Sequence, residues 1–104
     1  MEYIVIFITT SNTEEAQKIT NALVTKKLAA CGNIVSPVHS IFQWKGELCK
    51  EEEALLILKS TTKNFQEIKA VVKKLHSYEI PEIIALPIIA GSQQYLQWIA
   101  DETK

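Results

Sequence analysis

His76, Tyr78 and Glu79 form the densest run of proton-carrying and metal-capable side chains in the sequence. A neutral imidazole beside a carboxylate can ligate a metal or move a proton, which makes His76 with Glu79 the candidate metal pair. The same histidine ends a helical run, where a ring can instead bond the last helix carbonyls and gain from the dipole. Cys31 offers a thiolate ligand, although a lone cysteine on an apolar strand is more often a small buried hydrophobe. Glu53 and Lys59 stand six residues apart at the ends of the apolar run Ala54 to Leu58, so both project to one side of a strand. They either mark where that strand emerges into water or face a polar pocket. Trp44, two residues before Gly46, reads as packing at a hairpin tip, and an exposed tip tryptophan would anchor an interface or a ligand.

Other chemistries lack their residues. All 11 cations are lysine, against 12 acids and a net charge of −1, and the planar guanidinium fork favoured for phosphate and nucleic-acid recognition is absent. Nucleic acid is therefore not an expected partner. Thr9-Thr10-Ser11 stands where a metallochaperone of βαββαβ topology would carry CxxC, and the three glycines are isolated, so no phosphate loop forms. Cys31, Cys49, His39 and His76 assemble no nucleophile with its base, and the expectation is a protein that is not an enzyme. The apolar run Tyr3 to Ile8 is far short of the ~18 residues of a membrane span and follows no basic leader. It reads as the first strand of a cytoplasmic protein without membrane partners.

The elements that must position these residues follow from periodicity. Tyr3 to Ile8 is a continuous apolar run suited to a strand buried on both faces. Ser11 with Glu14 fits a capping box, and Ala16, Ile19 and Leu23 then recur at helical spacing in a helix reaching about Lys27. Ala30 to Trp44 and Glu47 to Lys59 read as two long arms joined at Lys45-Gly46. At ~3.3 Å per residue an unbroken arm reaches roughly 40–50 Å, whereas a domain of this size has a radius of gyration near ~13 Å. Either the hairpin outruns its domain, or Pro37 splits the first arm into two ordinary strands. In this hairpin Cys49 lies near Phe42 and Cys31 near Ser60, at opposite ends, so no intrachain disulfide is expected.

A second helix is predicted from about Asn64 to Leu75, with Phe65, Ile68, Val72 and Leu75 on its inner face. Ile83 to Leu86 forms a short strand stopped by Pro87. Ser92 caps a last helix that buries Tyr95, Leu96, Trp98 and Ile99, and the polar tail Asp101 to Lys104 frays. The order predicts one α+β domain over residues 1–104, a ferredoxin-like β-α-β-β-α-β sandwich with a long β2-β3 hairpin and an extra C-terminal helix. Two helices cover one sheet face, yet three strands carry unbroken apolar runs. Large apolar patches mark interfaces, so a homo-oligomer packed sheet against sheet is expected.

Leu28-Ala29-Ala30-Cys31, Ser40-Ile41-Phe42-Gln43-Trp44-Lys45-Gly46, Lys59-Ser60-Thr61, His76-Ser77-Tyr78-Glu79-Ile80-Pro81-Glu82 and Tyr95-Leu96-Gln97-Trp98 resemble, in register over nearly the whole chain, the CutA family of divalent-cation tolerance proteins. The resemblance implies a cytosolic homotrimer similar in fold to PII signalling proteins, linked to copper and other divalent metals and without established catalysis. It further implies an inter-subunit pocket of Cys31, Trp44, Glu53, Lys59, His76, Tyr78 and Glu79. Ser77 stands here for the family's usual proline and Phe42 for a tyrosine. Copper-ligating members use a cysteine at the end of the first strand and a His-His pair after the second helix. Ile8 and Leu75-His76 occupy those places, so one of three ligands survives, and copper or zinc would be held weakly. The rival implication is a PII-like sensor taking a small anionic metabolite near Lys59, with an unknown protein partner reading the signal.

Overall fold

The computed structural model describes residues 2–104. In chain order it has β1 (Tyr3–Thr10), α1 (Thr13–Thr25), β2 (Cys31–Trp44), β3 (Glu47–Thr61), a 3-10 turn at Thr62–Asn64, α2 (Phe65–Leu75), β4 (Ile83–Pro87) and α3 (Gln93–Glu102). The strands form one antiparallel sheet ordered β2-β3-β1-β4, the expected α+β topology with its additional helix. On one face Ile4, Ile6 and Ile8 of β1 and Leu56 and Leu58 of β3 meet Ile19 and Leu23 of α1 and Ile68 and Val72 of α2. Burial alternates along β1, so its continuous apolar run is fully buried on the helix side and half-buried on the other.

The hairpin is long and undivided. β2 spans 14 residues and β3 spans 15, and the molecule's longest dimension is 44 Å. Pro37 does not break β2, because β2 is an edge strand and its register to β3 shifts between Val35 and Val38, freeing the proline from the ladder. Lys45 and Gly46 both have positive φ, at 51° and 82°, the left-handed pair that a two-residue hairpin turn requires. Phe42 pairs with Cys49, as the turn position predicts, and Cys31 pairs with Lys59; both cysteines are free.

Two local expectations shift. The cap of α1 is Asn12, whose Oδ1 accepts from the Glu15 backbone at 2.8 Å, while Glu15 reaches back to the Ser11 N–H at 3.1 Å. Its far end closes in a Schellman motif, with Leu28 N–H on the Leu23 carbonyl and Lys27 N–H on the Val24 carbonyl. The tail after Asp101 is ordered rather than frayed. Thr103 is buried and donates to the Ile99 carbonyl at 2.9 Å, and the Lys104 N–H donates to the Lys27 carbonyl at 2.9 Å.

Past the helices' reach, Val35, Leu55, Ile57, Phe7, Ile84, Val5 and Leu86 make a continuous apolar second face, by the strand registers. Val35, Ile84 and Leu86 are about half exposed. α3 packs against β3 but buries only Ile99 fully, leaving Tyr95 and Trp98 exposed instead of inside as their spacing suggests. Lys27 holds φ 60° at the Schellman position, where a side chain strains the backbone and glycine does not. Lys27→Gly is expected to raise stability by about 1 kcal/mol, read as a higher urea midpoint at unchanged slope; an unchanged or lower midpoint contradicts this.

Candidate functional site

β3 outruns β1: β1 pairs only with Ala54 to Thr61, so the segment from Glu47 to Glu53 is paired to β2 alone. The segment His76 to Glu82, between α2 and β4, folds against this ribbon and creates the site. His76 directs it. Its backbone N–H donates to the Val72 carbonyl at 2.8 Å, finishing α2. The buried ring then places Nε2 2.7 Å from the Thr9 carbonyl, while Nδ1 accepts the Tyr78 N–H at 3.1 Å. A carbonyl only accepts and an amide only donates, so the ring is the neutral Nε2–H tautomer with both nitrogens engaged. It caps its helix, as one reading of the sequence allows, but spends its ring on β1 rather than on its own last carbonyls.

Glu15 holds the same segment from the start of α1. Its Oε2 accepts the Ser77 N–H at 2.6 Å, and its Oε1 accepts from the hydroxyls of Ser77 at 3.2 Å and Ser11 at 3.0 Å. Burial by itself would raise the Glu15 carboxyl, but the hydrogen bonds from Ser11 and Ser77 outweigh it and hold the group below its ordinary 4.5. Tyr78 then reaches β3, donating its hydroxyl to Glu53 Oε2 at 2.6 Å. Burial first, then the Glu53 hydrogen bond and the charges of Glu53, Glu15 and Glu51, push the phenol well above its usual range, so it stays a donor.

Between the ribbon and this segment lies a groove of about 880 Å³. Trp44, Glu53, Tyr78 and Glu79 line it, joined by Thr9, Phe42, Cys49, Glu51 and Glu82, but His76 does not. At its mouth Lys45 Nζ lies 5.6 Å from the Trp44 ring centre and 3.9 Å from Glu79 Oε1. The base of the hairpin carries a second cluster. There Lys59 donates to Asn33 Oδ1, which also lies 3.8 Å from the Cys31 sulfur. Tyr95 of α3 joins it, its phenol raised by burial and then by the neighbouring thiol.

Residues 4–102 match the sequence profile described as CutA1 divalent ion tolerance protein. The chain belongs to the CutA1 family. The divalent-cation tolerance protein CutA of Thermus thermophilus is 46% identical over 99 residues, spanning 95% of this chain and 96% of its own. A divalent cation tolerance protein structure from that organism superposes with a TM-score of 0.96 at 45% identity, covering 98% of this chain and 99% of its own. CutA1 from Oryza sativa superposes with a TM-score of 0.97 at 36% identity, covering 100% and 95%. The chain spans 56% of the chloroplastic CutA protein of Arabidopsis thaliana, to which it is 40% identical.

Within one CutA1 chain, the seven residues of the implied pocket thus fall into two groups. Trp44, Glu53, Tyr78 and Glu79 share the groove with His76 behind it, whereas Cys31 and Lys59 lie with Asn33 at the opposite end of the hairpin. The residues do not fit a tightly held metal at His76 and Glu79: both ring nitrogens are bonded, Glu79 faces Lys45, and among the described residues no three His, Cys, Asp or Glu side chains converge to hold an ion. Glu15, Thr9, Glu51 and Glu82 escape the sequence reading. Glu51 alternates with Glu53 on β3, and that two-residue spacing is the one signal that could place both in the groove.

Because Glu15 is depressed when folded, its contribution is complete above the ordinary glutamate value and disappears as pH falls through the folded value. Wild type should therefore lose thermal stability more steeply than Glu15→Gln as pH drops below ~5. Parallel curves for the two would show that the Ser77 clamp contributes nothing.

Proposed function

We propose that this CutA1-family chain works as a non-catalytic homotrimer in divalent-cation tolerance, holding cations weakly in a carboxylate-lined groove. The observation that carries this reading is that the groove and the uncovered apolar sheet face share one side of the molecule, so that assembly through the face also encloses the groove. Thr9 and Glu53 line the groove on the same face as Phe7, Leu55 and Ile57. Exposed apolar area of this kind favours association by roughly 25 cal/mol for each Å² removed from water. Both β2 and β4 are sheet edges, and a cyclic trimer is built from head-to-tail contacts of the kind that unlike edges can make.

Glu51, Glu53, Glu79 and Glu82 make the groove attractive to cations and hostile to an anionic metabolite, and Lys59 lies at the other end of the hairpin. This favours the cation reading over the PII-like one. Copper and zinc prefer imidazole and thiolate donors, and the groove offers a single thiol, Cys49, among carboxylates that do not converge with it, so it takes them weakly. His76 is not free to serve as a base, because its ring is occupied at both nitrogens.

Light scattering at micromolar concentration should give about three times the 11.7 kDa chain mass. Because Ile84 is half exposed in the single chain, Ile84→Lys is expected to keep the fold and fall to monomer. A monomeric wild type sinks the assembly. In calorimetric titration of the assembled protein, zinc or copper(II) should bind weakly and lose most of its heat with Glu51→Gln. Tight uptake indifferent to that substitution places the ligands elsewhere.

A further inference from the structure

The outer half of the hairpin is the least supported part of the fold, and one wall of the groove is made from it. From Glu47 to Glu53, β3 has β2 as its only strand partner, and a lone two-stranded ribbon is marginal in water. Its composition works against it. Glu47, Glu51, Glu52 and Glu53 are poor strand formers of like charge. The ion pairs that reach the ribbon, His39 with Glu52 at 4.0 Å and Lys45 with Glu79 at 3.9 Å, lie in the open, where such pairs contribute little. The tie from Tyr78 to the buried Glu53 holds its inner end only.

Against this, the ribbon carries Ile41 at 68% and Leu48 at 61% exposure, with Phe42 and Trp44 at 38% and 39%. Apolar side chains gathered in water call for cover. Register and alternation say where the cover comes from. Phe42 opposes Cys49 and Trp44 opposes Glu47, and alternate positions of β3 from Glu47 to Leu55 and Ile57 share one side. Both rings therefore extend the uncovered apolar face of the sheet. A second copy seated on Leu55, Ile57 and Ile84 continues onto the ribbon.

We propose that the ribbon from His39 to Glu52 closes only on assembly: in a separated chain it opens locally while the rest of the sheet stays folded, and a second copy on the apolar face orders it. The structure shows the closed form. Because Phe42, Trp44, Cys49 and Glu51 wall the groove from this ribbon, the groove is complete only in the assembled protein. Whatever fills the groove then strengthens assembly by the same factor by which assembly strengthens its binding. The proposal rests on association through the sheet face and names what that association switches.

Hydrogen exchange read by mass spectrometry on the wild-type protein at micromolar concentration, beside Ile84→Lys, tests it. β1 is the internal reference, since an intact sheet keeps Tyr3 to Thr10 protected whatever the ribbon does. In wild type, peptides covering His39 to Glu52 are expected to exchange slowly. In monomeric Ile84→Lys they should exchange at least about tenfold faster, with β1 still protected. Leu86→Lys, on the same face and also about half exposed, should repeat the result. A monomeric variant whose ribbon stays as protected as in wild type overturns the proposal and leaves the assembly standing. So does loss of protection in β1 together with the ribbon, which would make the ribbon no unit of its own. A wild type that is itself monomeric, or two variants that both remain assembled, removes the sheet-face contact and the proposal with it.

Discussion

A two-stranded ribbon is marginal in water, and this protein builds its site on one. Beyond Ala54 the strand β3 has lost its partner β1, and only β2 accompanies it to the turn at Lys45 and Gly46. What steadies the inner part of that ribbon is the segment His76 to Glu82, fixed at three points: His76 to the Thr9 carbonyl, Ser77 to Glu15 and Tyr78 to Glu53. The three partners belong to β1, α1 and β3. The groove is therefore positioned by nearly every layer of the domain, although its walls are a hairpin and a loop.

The layered fold was legible because its signals are local. Helical spacing at Ile19, Leu23, Ile68 and Val72 and the turn pair at Lys45-Gly46 each fix an element within a few residues. The apolar runs also disclosed that one sheet face would want cover. What stayed hidden has long reach: Glu15 meets Ser77 across 62 residues and His76 meets Thr9 across 67, and no periodicity encodes such pairs. Pro37 was ambiguous for a related reason, since a proline is tolerated or not according to whether its strand lies at an edge, which topology alone decides. Tyr95 and Trp98 show the converse case, where helical spacing correctly marks an apolar side that a single chain does not bury.

Charge is distributed as deliberately as apolar area. The groove collects Glu51, Glu53, Glu79 and Glu82, while Lys63, Lys69, Lys73 and Lys74 lie on or beside α2, so a nearly neutral chain carries a polar asymmetry. Field lines focus in a cleft of one sign, which raises local cation concentration before any specific contact forms. The buried Glu53 carboxylate is tolerable because Tyr78 remains protonated and donating. The family description as divalent ion tolerance proteins and the acidic lining of the groove are independent observations, and both bear on the proposed cation.

Ser77 carries a consequence for how such chains diverge. Its N–H is the closest partner of Glu15, at 2.6 Å, and a proline at that place has no N–H to give. Where proline occupies the position, an acid at position 15 keeps the Ser11 donors but loses the Ser77 N–H, and with it part of what holds the carboxyl ionised in a half-buried setting. The two positions should therefore drift as a pair through lineages, an acid at 15 accompanying a donor at 77, so that a first change at either site makes the reciprocal change at the other easier to accept.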